Sequence, residues 1–306
     1  MEHGPAREID LRAGRAWGPN RHTEAGVRFR AKLIAHLRAA GYPAYDESPP
    51  DSGGRAVSPY DPANPAHLQE AGGNLARYHE LVRSFPHRFR AAGRPALPSL
   101  ERSGPYALAC FTEVAEGVLG SADRARLTRA SSFLWSQFIR VPETLTGVLH
   151  PLPQLVIHGS YDPTALSYQG DRIAAVTGYD HAAYDLRALD LGHALRAFAG
   201  VEETGGPQAD VGLDIDRCAA LMAGYGEVET LPAHELAVLP LVFRARHLAE
   251  VLTETADLLS RPEDAGRLET DVHDLLDAVE RGAEQSRWLE REEPALLSAL
   301  SSSRVG

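Results

Sequence analysis

Residues 153–195 read PQLVIHGSYDPTALSYQGDRIAAVTGYDHAAYDLRALDLGHAL. Leu155, Val156 and Ile157 make a short apolar run that closes at Gly159, the pattern of a buried strand. The next stretch, ALSYQGDRIAAVTGY (165–179), divides into two strands around Gln169-Gly170-Asp171, a turn that glycine permits. Beyond Asp185 the period changes to helical and stays so nearly to the end, with breaks near 200–210, at 230–233 (TLPA) and at 261–263. The final SSSRVG reads as a frayed end. A small β insertion is thus followed by a helical body.

The chain before this segment is also mostly helical. ALACFTEVAEGVLG (107–120) and the run from Ser121 are two helices, with Trp135 and Phe138, three residues apart, expected to pack inside. From Pro65, HLQEAGGNLARYHELVRSF carries Leu68, Leu75, Tyr78, His79 and Leu81 on one side. Further back, a helix from about Thr23 places Val27, Phe29, Leu33, Ile34 and Leu37 at helical spacing and stops at Gly41 and Pro43. Between them lies a Pro/Gly/Ser/Asp-rich loop, 45–65, with a weak strand expected at Arg55–Val57. Residues 7–17 (REIDLRAGRAW) could form one strand or a strand pair. The outline is α+β and two-lobed, with residues 1–64 as a small N-terminal piece and 65–306 as a helical body bearing the central hairpin.

Bulk properties exclude several roles. The net charge of −11 over 306 residues argues against broad nucleic-acid or anionic-membrane binding, although 30 arginines leave room for a local basic groove. No run of 18 apolar residues occurs, so no span is expected. MEHGPAREIDLRAG lacks the apolar core of a signal peptide. Cys110 and Cys218 lie far apart in apolar stretches and read as two buried thiols, not as a disulfide or zinc site. A cytoplasmic protein is expected. The acidic helix at 262–292 places Leu268, Val272, Leu275, Leu276 and Val279 on one face and reads as having a solvated outer face, with partner binding as the minority alternative. Trp17 and Trp288 find no obvious place.

The central segment resembles the catalytic heart of the aminoglycoside phosphotransferase, choline kinase and homoserine kinase group. In that group a strand enters an H-G-D-x-x-x-x-N loop, a hairpin follows, then an I-D-F/W motif and a helix with R-x-x-D-L-A/G. Here His158 and Gly159 open the loop, Pro163 sits in it, Gly170-Asp171 makes the turn, and Arg187, Asp190 and Leu191 lead the helix. AHLRAAGYP (35–43), GNLARYHEL (73–81) and GYGEVETLPAHELAVLPLVFRARHLAEVL (224–252) extend the likeness over most of 20–260. The resemblance implies a protein-kinase-like fold with a reduced N-lobe and a large helical C-lobe.

It also implies a chemistry that the residues do not supply. Phosphoryl transfer in this fold depends on positioning and charge neutralisation. The loop Asp acts as the base, while the loop Asn and the Asp of I-D-F hold magnesium through oxygen. The base position falls at Ser160, the Asn position at Ala165 and the second Asp position at Gly178. Lys32, the single lysine, lies inside a helix. Arg15 is the candidate for the phosphate-gripping strand position, but the matching helix position is Arg30, which would repel it. No Gly-rich phosphate loop precedes them.

Two acids lie two residues beyond lost positions. Asp162 could be a displaced base and Asp180 a displaced metal ligand; alternatively, Asp162 starts a turn and Asp180 accepts backbone hydrogen bonds. His158 is expected to shape the loop, tying it to the helix that carries Asp190. His181 and His193 lie nearby without a metal-ligand spacing.

The expectation is therefore a pseudokinase needing no cofactor, with a protein partner, peptide or small molecule in the C-lobe cleft, for instance as an accessory subunit of a biosynthetic or peptide-modifying complex. The alternative is an active phosphotransferase using ATP and Mg²⁺ on a small hydroxylated molecule or a peptide Ser/Thr. A repurposed fold with other chemistry in the old substrate cleft is a third option. The resemblance implies an acidic cleft for cationic substrates, with which the overall charge is compatible.

Overall fold

The computed structural model describes residues 24–46, 57–86, 97–148, 152–202, 211–259 and 265–302. The expected strands at 7–17 and the candidate Arg15 lie outside them. The first helix, α1 (Glu24–Ala39), buries Phe29, Leu33, Ile34 and Leu37 and ends at Gly41, whose φ of +80° suits a residue without a Cβ. Val27 is exposed, at the edge of the buried face two turns before Ile34. After α1 the chain runs beside the central hairpin: the Val176 amide donates to Pro43 O at 2.7 Å and the Tyr45 amide to Val176 O at 2.8 Å.

Of the strand expected at 55–57, Arg55 and Ala56 lie outside the described residues; directly after Val57 comes β1 (Ser58–Pro59), paired antiparallel to β3 (Leu166–Gln169). Pro59 can occupy it because β1 lies at the sheet edge, where a missing N–H costs no ladder bond. The hairpin partner of β3 is β4 (Arg172–Val176), with Gly170 at φ +59° in the turn. β2 (Gln154–Ile157) pairs antiparallel with β5 (Ala183–Leu186) in a separate ribbon.

Helices form the rest. α2 (Pro65–Val82) is started by the Asn64 side chain, which accepts from the Ala66 amide, and by Pro65 in the first turn. α3 (Leu97–Glu116) and α4 (Ser121–Val148) pack together. They are followed by α5 (Arg187–Ala199), a short hairpin of β6 (Gly200–Glu202) and β7 (Val211–Leu213), α6 (Ile215–Val228), α7 (Ala233–Leu259) and α8 (Ala265–Ser302). α2 and α6 touch backbone to backbone. A Cβ at Gly72 would fall 1.9 Å from Leu221 O, and one at Gly224 2.0 Å from Gln69 O, so only glycine allows the approach.

Arg187 is buried at the start of α5 and ties three elements. Its Nε donates to Glu235 Oε1 at 2.9 Å on α7, and Nη1 donates to Glu229, which follows α6. A buried charge is tolerable when paired in this way. No helix among the described residues is long and apolar enough to cross a membrane.

Two expectations are corrected here. Phe138 is buried, but Trp135 is 43% exposed. The buried stripe of α4 runs through Leu127, Ala130, Leu134, Phe138, Val141 and Leu145. Trp135 lies about 100° round the helix from Leu134 on the solvent side. Cys218 is buried as expected, whereas Cys110 is only half-buried.

Candidate functional site

The loop after β2 is held by a carboxylate. Asp190 on α5 has no exposed surface, and its oxygens accept from the backbone amides of His158 and Gly159, each at 2.8 Å. His79 of α2 donates to the same carboxylate from Nε2 at 3.1 Å, while its Nδ1 meets the Tyr225 hydroxyl of α6 at 2.9 Å. Burial works against ionisation of Asp190, but the His79 bond and the neighbouring histidines and amides outweigh it and hold the carboxyl at about 2.

His158 meets Asp190 through its backbone; its ring does something else. Nδ1 accepts from the Ser160 amide at 3.3 Å and Nε2 donates to Thr177 O at 2.9 Å, so the imidazole joins the loop to the end of β4. This tautomer follows from the bonding pattern. Burial lowers the pKa of the ring. Gly159, at φ +78°, could not carry a side chain, because a Cβ would lie 2.3 Å from His181 O.

These ties bring Ser160, Ala165 and Gly178 to one point. A Cβ built at Gly178 would lie 3.7 Å from the Ala165 Cβ and 4.0 Å from the backbone oxygen of Ser160, whose hydroxyl turns to Asp162 Oδ2 at 3.5 Å. The three residues of this loop-and-hairpin segment lie close together, and their side chains carry one hydroxyl, one methyl and a hydrogen. Their side chains do not fit a magnesium ion, which takes oxygen ligands. Among the described residues no group of three His, Cys, Asp or Glu side chains could hold a metal, His181 and His193 included.

The two nearby acids are engaged elsewhere. Asp162 caps a 3₁₀ turn at Pro163–Ala165: Oδ1 accepts from the Thr164 amide at 2.8 Å, the Thr164 hydroxyl at 2.6 Å and the Ala165 amide at 3.1 Å. Oδ2 lies 3.5 Å from the Ser160 hydroxyl and 3.9 Å from His193 Nε2. Burial opposes ionisation of Asp162, yet His193 and Thr164 prevail and hold its carboxyl well below the usual carboxylate range. Asp180 pairs with Arg30 of α1, whose Nε also meets Asp46 Oδ1 at 2.9 Å. The sequence reading set Arg30 against Arg15 and missed this arrangement. A pair separated by 150 residues leaves no local signal.

Beside the loop, Pro163 and His193 form part of the lining of a cavity of about 580 Å³. Its other walls come from α5, the β6–β7 hairpin, α6, α7 and α8, and include Arg196, Arg217, His247 and Trp288. Trp288, without an assigned place in the sequence, thus faces this cavity. No Asp or Glu lines it among the described residues.

A helical lobe with a small central hairpin and a strand–loop–hairpin–helix core defines a protein-kinase-like phosphotransferase fold. Among solved structures, an aminoglycoside phosphotransferase from Alicyclobacillus acidocaldarius superposes with a TM-score of 0.60 at 16% identity, over 92% of this chain and 84% of that one. A choline kinase from Cryptosporidium parvum gives 0.50 at 10% identity, over 90% and 81%. The fold is that of the aminoglycoside phosphotransferase and choline kinase group.

Among curated proteins, the chain is similar to homoserine kinases. It is 28% identical to that of Bradyrhizobium sp. strain BTAi1 over 203 residues, which is 66% of this chain and 55% of the relative. It is 29% identical to that of Phenylobacterium zucineum over 206 residues, 65% and 54%. The chain spans about half the length of these curated relatives. No family model matches it.

Proposed function

We propose that the protein is a pseudokinase: a phosphotransferase-fold protein that binds a ligand or partner through its C-lobe cleft and does not itself transfer phosphate. The observation that carries this reading is the convergence of Ser160, Ala165 and Gly178 without a carboxylate or amide among them. Relocated chemistry is disfavoured by what the neighbouring acids do. Asp162 spends one oxygen on three donors, and a carboxylate so stabilised is a weak proton acceptor. Asp180 already has a cation beside it in Arg30. A role as an accessory subunit of a biosynthetic or peptide-modifying complex is compatible with a retained loop that has lost its reacting groups.

Thermal melting of the purified protein with ATP, with and without MgCl₂, tests this reading. The expected result is no Mg²⁺-dependent rise in Tm. A rise that requires Mg²⁺, together with ATP consumption, would overturn it.

The homoserine kinase homologues favour a second reading, an active ATP- and Mg²⁺-dependent phosphotransferase acting on a small hydroxylated molecule or a peptide Ser/Thr. It would rely on Asp162 as base and Asp180 as metal ligand. It requires ATP turnover that disappears in Asp162→Asn, a substitution that the pseudokinase reading expects to leave turnover at background.

A further inference from the structure

We infer that the cavity beside Pro163 takes a small organic anion, an oxyanion group carried on a flat apolar body. The inference rests on the ligand-binding reading above and names the chemical class of the ligand.

Charge is the first argument. Over the whole chain acidic residues outnumber Lys and Arg by 42 to 31, yet the lining holds Arg196 and Arg217 and, among the described residues, no carboxylate. Among the described lining residues the formal sign is reversed, with the Asp162 carboxylate 3.9 Å from the His193 ring as a counter-charge, and low-dielectric walls strengthen a charge's reach.

The second argument is how Arg217 is held. Its Nε donates to Phe198 O at 2.9 Å, Nη1 to Pro62 O at 3.1 Å and Nη2 to the Tyr60 hydroxyl at 2.8 Å. All three acceptors are uncharged. They fix the guanidinium in place, and they use three of the five N–H donors that an arginine carries. The two others, one on each terminal nitrogen, are donors that a carboxylate or similar oxyanion can accept from.

The histidines fit the same ligand. His247 donates from Nε2 to Gly282 O at 2.8 Å, and its Nδ1 lies 3.5 Å from Arg196 Nη1. Burial, assisted by the Arg196 charge against the favourable bond to Gly282, lowers its pKa to about 4, so this ring is neutral and accepts from the arginine. His193 also lines the cavity, with its Nε2 buried and the Asp162 carboxylate 3.9 Å from it.

The apolar walls set the body of the ligand. Phe198, Phe243 and Trp288 line the cavity. Gly212 lies so close to the indole that a Cβ there would be 2.7 Å from Trp288 Cε2, which fixes the ring against the strand. A volume of about 580 Å³ is of small-molecule size.

The test is a charge series on the full chain by titration calorimetry: 2-naphthoate, 2-naphthalenemethanol and 2-naphthylmethylammonium. The expected order is naphthoate tightest, by about tenfold over the alcohol, with the ammonium weakest and the preference shrinking in about 0.5 M salt. Arg196→Gln is expected to weaken naphthoate about fivefold and leave the alcohol unchanged. Equal affinities across the series, or a preference for the ammonium, would overturn the anionic class and leave the cleft a ligand site. No binding by any of the three at about 10 mM, a limit weaker than Kd values of ordinary ligands, would overturn both readings. The wild-type series decides the matter even if the variant folds poorly.

Discussion

Arg30 of α1 forms an ion pair with Asp180, two residues beyond Gly178, which stands where the resemblance places a metal-ligating Asp. The same guanidinium holds Asp46 at 2.9 Å, so a side-chain cation bridges two acids beside the point where Ser160, Ala165 and Gly178 meet. Arg30→Ala is expected to cost about 1 kcal/mol, because the arginine is largely buried although its partners are half-exposed. Arg30→Glu would crowd three carboxylates and cost about 2–3 kcal/mol. Urea midpoints of the two variants check the order; Arg30→Glu matching the parent would show that the pair contributes nothing.

On the pseudokinase reading, the proximity of Ser160, Ala165 and Gly178 makes the missing groups restorable. The combined variant Ser160→Asp, Ala165→Asn, Gly178→Asp is expected to gain a Mg²⁺-dependent Tm shift with ATP that the parent lacks. Space permits it at position 178, where the nearest atom to a Cβ is His158 Cε1 at 3.6 Å. The φ of +84° there costs about 1–2 kcal/mol for a side chain, less for Asp than for most. Absence of a shift would put the deficiency on the nucleotide side of the cleft.

Together with Asp162, Asp190 is expected to set the acid limb of stability. Its folded pKa of about 2 lies below the ordinary 3.8, so its contribution is complete above pH 4 and is lost as pH falls from about 4 to 2. Asp190→Asn, which turns an amide N–H towards donors, should cost about 3 kcal/mol at pH 7. In urea titrations across pH 2–5 the variant should show a shallower pH slope than the parent.

Asp185 has the opposite sign. Burial, with the Asp190 charge adding to it against the Leu186 amide, raises its pKa to about 6. The folded state then binds more protons than the unfolded between about pH 4 and 6, so stability falls as pH rises through that window. Asp185→Asn is expected to stabilise by about 1–2 kcal/mol at pH 7.5, and the gain should vanish below pH 4. A variant no more stable than the parent at pH 7.5 would contradict this.

What could be read from the sequence were features with local periodicity. The hairpin about Gly170 and the helices were legible because strand and helix periods and glycine turns are written in neighbouring residues. The β6–β7 hairpin was not: three-residue strands on either side of 203–210 carry too short a pattern. Trp135 was misplaced because three-residue spacing from Phe138 fixes a separation on the helix surface and leaves open which edge of the stripe faces water. The link from His79 to Asp190 and the pair Arg30–Asp180 join residues more than a hundred positions apart, where opposite chemistry gives no distance. The cavity draws on five helices or hairpins, so its sign was invisible to a whole-chain charge count.

The glycine seam between α2 and α6 gives distant positions a hold over the loop. His79 lies two turns along α2 from Gly72, and Tyr225 follows Gly224 directly on α6. One methyl group at residue 72 or 224 would lever the helices apart and pull the imidazole from both the phenol and the carboxylate that it bridges. Damage at a packing contact would then imitate damage at the loop.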